Sequence, residues 1–457
     1  MSDTPLYSAL CALADQERLR FHMPGHKGNH LYMDAFADAS RLDFTELPQT
    51  GNLYEGAGPI LEAEKLAARF YGAEQCVFLT GGATQGIMAA LFAVCGGGDG
   101  VILDRGCHRS VTNACGLLDL DPFYLYPERL PGFSVCKSVS KKELFELVER
   151  NPTAKAVVIT SPTYYGAVSD IEALGEVLRE AKMKLIVDEA HGAHLPAIGI
   201  KNAIRCGADI AVCSAHKTLP ALGQGAYLLA NGISEGVLRR AASVFGTSSP
   251  SYPIMASLDL ARAYLSGEGG ERYVKAALKT AIIREKIQIN TTFRTPFFEK
   301  NDPCRLTIDT ALSGLSGFFV AECLREAYRI DCEMSDRQNV VLIVTCEDGD
   351  EKLDALFKAL SEISAKYGKT PDGYTPLPLP RPEKRMTPRK AMFSETRGVA
   401  LQKAEGFTAA EPVAPYPPGI PVVIPGERID RLCIEYLLAQ GYNGYEEIMV
   451  AGKKDMK

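Results

Sequence analysis

The chain has 457 residues, of which 46% are hydrophobic and 23% charged, and its formal net charge is −6 at pH 7. These values indicate a globular protein with a main domain and one or two smaller ones, and the acidic balance argues against a nucleic-acid or anionic-membrane binder. No terminal apolar run has the length of a membrane span or a signal peptide, so we expect a cytoplasmic protein. The 13 cysteines form no CxxC pair, which favours reduced thiols.

Residues 1–54 predict an N-terminal arm, with a helix over 6–19 and a turn rich in His, Pro and Gly over 21–29. The two histidines of that turn are four apart, which could suggest a metal site. Pro24 and Gly25 lie between them and break the helix that would align them, so we expect no metal.

Residues 55–290 alternate between apolar strands and helices, which predicts an α/β domain with a mainly parallel sheet covered on both faces. The predicted strands are 75–80, 101–104, 123–126, 156–160, 185–188, 210–213 and 226–229. Residues 291–370 predict a small α+β domain, with strands at 305–309 and 340–346 and helices at 314–328 and 352–364. Residues 371–457 predict a proline-rich linker and a C-terminal domain with a helix near 429–440.

A lysine follows one of the predicted buried strands. Lys217 belongs to the stretch Ser214-Ala215-His216-Lys217. Burial at such a position can lower the pKa of a lysine, and the neutral amine can then condense with an aldehyde. A surface lysine after a strand gives the same pattern, so this stretch alone does not decide between the two.

A carboxylate precedes that lysine by 217 − 188 = 29 residues, because Asp188 ends the apolar run 184–188. This separation leaves room for one helix and one strand, which would bring both residues to the same carboxyl edge of the sheet. Pyridoxal phosphate (PLP) needs such a pair. The lysine holds its aldehyde carbon, and the carboxylate keeps its pyridine nitrogen protonated.

A glycine-rich turn at residues 81–86 joins the strand 75–80 to a helix over 87–94. Backbone N–H groups and the positive end of a helix dipole make such a turn a natural phosphate site. Glycine-rich turns are common by themselves, but the three stretches together favour PLP.

Two competing motifs fail. Asp188-Glu189-Ala190-His191 spells a helicase box, but the Gly-Lys-Thr run at Gly368 has Ile363 where the phosphate loop needs its first glycine. His191 and His194 lack the HExxH pattern, so we expect no zinc hydrolase.

Over nearly its whole length the sequence resembles the ornithine/lysine/arginine decarboxylases, which are PLP enzymes of the aspartate aminotransferase fold. The resemblance includes the 21–28 turn, Thr45-Glu46-Leu47, Gly58-Pro59-Ile60 and residues 417–427, and it is most specific at 214–217 together with Gly223-Gln224-Gly225. It implies fold type I of the PLP-dependent transferases for the major domain. Pro220 departs from the family pattern, which has a small residue there.

The resemblance implies a role for each matching position. Lys217 would bind the cofactor covalently, and Asp188 would pair with its pyridine nitrogen. His108 would stack on one face of the ring and Ala190 would pack on the other, although His108 could also be a structural histidine. His191 would lie near the cofactor's 3′ oxygen or the substrate carboxylate.

The phosphate would be held by residues from two of the stretches above, namely Ala83, Thr84, Ser214 and His216. Family members form dimers whose active sites lie between subunits. The segment Thr247-Ser248-Ser249 would therefore reach the neighbouring subunit's phosphate.

The resemblance also implies decarboxylation of a basic amino acid, with arginine ranked before lysine and ornithine. Carboxylate loss benefits from an apolar surrounding, so a strong arginine clamp should be absent, and Arg305 is the position to check. Glu395 and Glu405 are candidates for recognising the distal cation of the substrate. Phe407 stands where the family has a basic residue.

The chain begins directly at the arm, without the extra N-terminal domain of long family members. We therefore expect a homodimer or a dimer of dimers with a role in polyamine biosynthesis. An aminotransferase or carbon–sulfur lyase on the same fold remains open, as does a non-catalytic PLP-binding regulator. The presence of both Lys217 and Asp188 argues against the regulator.

Overall fold

The computed structural model describes residues 3–16, 18–29, 34–369, 376–415 and 419–452. Its helices are α1 (Pro5–Ala14), α2 (Ala37–Leu42), α3 (Gly58–Tyr71), α4 (Gly82–Val94), α5 (Arg109–Leu118), α6 (Lys141–Arg150), α7 (Ile171–Ala181), α8 (Ala215–Thr218), α9 (Glu235–Val244), α10 (Tyr252–Leu265), α11 (Glu268–Asn290), α12 (Gly317–Tyr328), α13 (Asp350–Tyr367), α14 (Pro388–Met392) and α15 (Arg431–Ala439). Within the described ranges, none of them has the length and hydropathy needed to cross a membrane.

The strands are β1 (Gln75–Leu79), β2 (Gly100–Asp104), β3 (Asp121–Leu125), β4 (Ala156–Thr160), β5 (Lys184–Asp188), β6 (Ile210–Cys213), β7 (Ala226–Ala230), β8 (Arg305–Asp309), β9 (Met334–Ser335), β10 (Asn339–Ile343), β11 (Thr396–Ala400), β12 (Thr408–Ala409) and β13 (Glu447–Ala451). By its internal contacts the chain divides into two compact units. The first comprises Met1–Ala93 and Leu185–Val274, and the second comprises Val94–Lys184 and Lys275–Lys457.

In the first unit the strands lie in the order β1-β7-β6-β5. β5 and β6 are parallel and pair Asp188 with Val212, whereas β7 runs antiparallel to both of its neighbours. Every residue of β6 and β7 is buried, as expected of central strands covered on both faces. The parallel pair therefore ends at one edge, where the residues after β5 and after β6 come together.

Helix α4 packs closely on this sheet because Gly86 faces it. A Cβ on Gly86 would lie 2.5 Å from Val212 Cγ1 and 2.8 Å from Leu79 Cδ1, which is too close for any side chain. Gly82 begins the helix with a φ of +71°, a conformation that favours glycine. The glycines thus set both the start of α4 and its distance from the strands.

In the second unit β2 lies between β4 and β3 and is parallel to both. Two three-stranded antiparallel sheets, β8-β10-β9 and β11-β13-β12, follow later in the chain. The first has a core that includes Ile308, Val340 and Leu360. The second has its own core around Ile429, Leu437 and Val450.

The α/β class and the mainly parallel strands confirm the prediction, and all seven strands predicted before residue 290 are present. Helix α1 ends at Ala14, five residues earlier than predicted, and α4 begins at Gly82, so the glycine turn is shorter than the predicted 81–86. The sheet β11-β13-β12 was not predicted, because its strands are short and irregularly patterned. The predicted domain boundaries remain predictions, and residues 370–375 and 416–418 of the proline-rich segments lie outside the described ranges.

Candidate active site

Lys217 lies in α8, the single helical turn that follows β6. Its side chain is partly buried, and its Nζ lies 3.3 Å from Nε2 of His191. His191 itself is 4% exposed. The structure therefore brings together two of the predicted catalytic residues at a distance that allows proton exchange between amine and imidazole.

Asp188 ends β5 and is 4% exposed. Its Oδ1 accepts a hydrogen bond of 3.1 Å from the backbone N–H of Ala190. Burial raises the pKa of Asp188 above its ordinary value, while the positive charge of Lys217 and the Ala190 N–H partly lower it. A buried carboxyl in this state favours a positively charged partner, such as a protonated pyridine nitrogen.

Glu189 is a buried acid that the sequence motifs do not identify as a site residue. Its Oε1 accepts from the N–H of Ala203 at 2.9 Å, and its Oε2 lies 3.4 Å from the Cys213 thiol. Burial raises the pKa of Glu189 to about 8. The side chain thus connects the segment that begins after β5 to Ala203 and to Cys213 of β6. In the sequence, only its position next to the end of an apolar strand could have indicated Glu189. Asp188 is the first acidic residue at that position, so the pattern indicates Asp188 instead.

The glycine turn before α4 is held by two contacts. The N–H of Gly82 donates to the Gln224 carbonyl at 2.8 Å, and the N–H of Gly81 donates to Gln85 Oε1 at 2.9 Å. Ala83 and Thr84 follow in the first helical turn, whose N–H groups have no acceptor within the helix. The turn is therefore suited to hold a phosphate, with Thr84 exposed and Ala83 half-buried.

His216 and Ser214 flank the same region. His216 Nδ1 lies 3.1 Å from the Gly225 carbonyl and 3.3 Å from Ser214 Oγ. Because a carbonyl only accepts, Nδ1 carries the proton. Burial lowers the pKa of His216, the Gly225 contact raises it, and the charge of Lys217 lowers it further. The contact with Gly225 thus fixes the orientation of the ring.

Thr247 and Ser248 are exposed between α9 and α10. Gln85 Nε2 donates to the carbonyl of Ala242 in α9 at 2.9 Å, so the helix before this segment is linked to the glycine turn. The predicted contact of this segment with the phosphate of a neighbouring subunit stays a prediction.

His108 belongs to the second unit, at the N-cap of α5. Its Nδ1 accepts from the Ser110 N–H at 3.2 Å and lies 2.9 Å from Ser110 Oγ. This contact fixes the ring and is itself a structural role. Whether the ring also stacks on a cofactor stays a prediction.

Arg305 lies in β8 and is 2% exposed. Its guanidinium lies 5.9 Å from the ring centroid of Tyr164. Burial lowers the pKa of Arg305, and the nearby carboxylates of Asp302 and Glu333 partly offset this effect. The side chain is thus placed among carboxylates of its own unit.

The three C-terminal positions raised by the sequence lie in different surroundings. Glu395 and Glu405 are exposed, whereas Phe407 is 7% exposed and belongs to the core of the C-terminal sheet. The guanidinium of Arg397 lies 4.9 Å from the Phe407 ring centroid. A basic residue at position 407 would have to be buried in that core.

The first unit thus combines a lysine amine beside a histidine, a buried carboxyl at the neighbouring strand end and a glycine turn at a helix N-terminus. These groups fit the aldehyde, the pyridine nitrogen and the phosphate of PLP. With the parallel strands that position them, they define a PLP-dependent enzyme of fold type I.

Family models identify the enzyme more closely. The major domain of the Orn/Lys/Arg decarboxylases matches residues 4–300, and their C-terminal domain matches residues 373–444. The chain belongs to this family and is a PLP-dependent amino acid decarboxylase.

Individual relatives agree with this assignment. An arginine decarboxylase of Bacillus subtilis is 32% identical over 95% of this chain and 93% of its own length. The uncharacterised protein YaaO of the same organism is 35% identical over 95% of this chain and 94% of its own length. The crystal structure of a Francisella novicida lysine decarboxylase shares the fold, with a TM-score of 0.86 and 20% identity over 98% of this chain and 81% of that one.

Proposed function

We propose that this enzyme converts L-arginine to its amine and carbon dioxide, with lysine and ornithine as less favoured substrates. Three relatives that are 30–32% identical over most of the chain are named arginine decarboxylases. The relatives named lysine decarboxylases are 24% identical. The observation that carries the chemistry is the cluster of Lys217, His191 and Asp188 at the ends of two adjacent parallel strands.

Lys217 would hold the cofactor through its amine, and Asp188 would face the pyridine nitrogen. When bound, PLP supplies a ring that accepts the electron pair left behind when carbon dioxide departs. Asp188 supports this by stabilising a positive charge on the ring nitrogen, which in turn relieves the cost of burying the carboxylate.

His191 would move protons in this site. Its Nε2 is 3.3 Å from Lys217 Nζ, so it can take a proton from the ammonium and return it later. Ala190 would pack against one face of the cofactor ring, and His108 would stack on the other. The N–H of Ala190 also holds Asp188 Oδ1 and so orients the carboxylate.

The phosphate would be bound by the backbone and side chains around two turns, those of Ala83, Thr84, Ser214 and His216. His216 would use its Nε2 for the phosphate, because its Nδ1 is used by the Gly225 carbonyl. We further propose a homodimer or a dimer of dimers, in which Thr247 and Ser248 reach the phosphate of the neighbouring subunit. Light scattering of the purified protein would measure this state.

The surroundings of Arg305 support decarboxylation over transamination. A guanidinium that clamps the substrate carboxylate would hold back the group that must leave. Arg305 is fully buried among Asp302, Glu333 and Tyr164, whose charges and ring already surround the cation. A role in cytoplasmic polyamine biosynthesis would follow from the amine product.

The test is carbon dioxide release from the PLP-loaded protein, with arginine, lysine and ornithine offered separately. Release with arginine, without a keto acid product, supports the proposal. Formation of a keto acid would indicate an aminotransferase. If none of the three amino acids releases carbon dioxide although the bound cofactor absorbs visibly, the proposed substrate class is refuted.

A further inference from the structure

The second unit contains a cavity of about 740 Å³. Its walls come from residues after β2, β3 and β4, from α12 and β9, and from the C-terminal part of the chain. This volume lies within the range of small-molecule sites, roughly 300–1,000 Å³. None of the proposed cofactor residues lines it, so the cavity needs its own explanation.

The walls are rich in aromatic rings. Five tyrosines line the cavity, namely Tyr126, Tyr164, Tyr165, Tyr436 and Tyr442. The Tyr126 ring already receives the guanidinium of Arg381 at 4.9 Å from its centroid. Aromatic faces attract ammonium and guanidinium groups through their quadrupole, so these walls suit an organic cation.

The charged side chains of the walls also favour a cationic ligand. Each basic residue of the lining has an acidic partner outside the lining, in the pairs Arg105–Glu427 at 2.8 Å, Lys137–Glu128 at 3.3 Å and Arg325–Asp331 at 3.2 Å. The lining contains four acids. Asp104 accepts from the backbone N–H of Gly106. Glu333, Asp336 and Glu446 form no ion pair with any residue in the described part of the chain, although the charge of Arg305, which lies outside the lining, acts on Glu333. The lining therefore holds more acids than basic residues, and three of these acids form no ion pair with a described residue.

These acids differ in how many hydrogen bonds they already accept from the protein. Asp336 accepts from Tyr165, from two backbone N–H groups and from Asn339, so it mainly holds its own loop. Glu333 Oε1 accepts from the Tyr164 hydroxyl at 2.5 Å.

An uncharged acceptor adds to the acids. Gln338 also lines the cavity and is only 8% exposed, and its amide oxygen has no hydrogen-bond partner among the described residues. A buried acceptor without a donor is costly, and an N–H donor supplied by a ligand would remove that cost.

We propose that this cavity binds a linear organic cation that carries ammonium or guanidinium groups, with Glu333 and Glu446 as its acidic contacts. The amine released by the proposed reaction and the basic amino acid consumed by it share this chemistry. The identification of the ligand with this amine or amino acid therefore depends on the proposed function, whereas the existence of the site is inferred from the lining residues alone.

The test is titration calorimetry of the PLP-loaded protein with agmatine (decarboxylated arginine), with arginine and with uncharged butylurea. Glu333→Gln keeps an acceptor for Tyr164 but removes the charge, and Glu446→Gln is the second variant. Glu326→Gln, an exposed residue of α12 outside the lining, is the matched control. We expect at least about fivefold weaker cation binding in each lining variant, less than about twofold change in the control, and no measurable binding of butylurea.

The visible absorbance of the cofactor is recorded in the same titrations, because a ligand at the cofactor site changes it. Agmatine binding that depends on Glu333 without an absorbance change supports the cavity site, and the same dependence for arginine extends the ligand class to the substrate. Cation binding that is unchanged in both folded lining variants would overturn the inference. Failure of the carbon dioxide assay with intact Glu333-dependent binding would refute the proposed reaction and leave the cavity site standing.

Discussion

The edge of the first unit at Asp188 and the Arg105 region of the second unit both bury charged side chains, but they do so in different ways. Arg105 forms a 2.8 Å ion pair with the fully buried Glu427 and also donates to the carbonyls of Pro421 and Val422. Asp188 accepts one backbone hydrogen bond and forms no ion pair with any described residue.

The difference separates structure from function. A buried pair with matched partners fixes the chain, and removing one member leaves an uncompensated charge. A buried carboxyl with a raised pKa and few partners is typical of a site that a ligand completes. A mutation at Asp188 should therefore lower the catalytic rate, whereas a mutation at Arg105 should lower the stability of the protein.

The strongest expected effect is that of Lys217→Ala. The variant should lose the visible absorbance of the bound cofactor, and its decarboxylation rate should fall by at least about 10⁴-fold, because the covalent attachment point is gone. Absorption spectra and carbon dioxide release measure this. An unchanged spectrum would contradict the assignment of the lysine.

Asp188→Asn should lower kcat by about 10²–10³-fold while leaving the thermal midpoint unchanged or higher. The amide keeps the size of the side chain but cannot stabilise a positive ring nitrogen, and burying it costs less than burying a carboxylate. Steady-state kinetics and thermal melting of the same preparation separate the two effects. A large loss of stability would place Asp188 with the structural charges instead.

Arg105→Met should destabilise the protein by about 3–5 kcal/mol, because Glu427 would remain buried without its partner. Lys137→Met is the matched control, since the Lys137–Glu128 pair is exposed and should contribute less than about 1 kcal/mol. Denaturant unfolding of PLP-loaded protein measures both. Equal effects of the two changes would remove the contrast between the regions.

The smallest expected effect concerns Glu189, whose pKa is raised to about 8 by burial. Between its ordinary pKa of about 4.5 and about 8, the folded protein keeps a proton that the unfolded chain has released. The stability contributed by this group is therefore lost as the pH rises, and the loss is complete above about pH 8. Glu189→Gln should remove this decline.

The thermal midpoint of Glu189→Gln relative to the unchanged protein should accordingly rise between pH 5.5 and pH 9, by roughly a few degrees. Melting curves at several pH values test this, and parallel pH profiles of the two proteins would show that Glu189 is ionised in the folded state.

The sequence by itself determined the strand order along the chain and the main elements of the candidate cofactor site. Asp188 ends one apolar strand and Lys217 follows another, and the geometry of parallel strands brings such positions to one edge. The glycine turn could also be predicted from the sequence. Gly82 is required because its φ is positive, and Gly86 is required because α4 packs closely on the sheet there. These features depend on short stretches, which a sequence pattern records.

Only the tertiary structure decided the remaining features. The contact between Lys217 and His191, the buried position of Glu189 and the surroundings of Arg305 depend on side-chain directions that no local pattern contains. The cavity of the second unit is lined by residues from 104 to 446, so its chemistry arises from segments far apart in the chain. Such a site has no local sequence signal, because its lining is assembled from several separate segments.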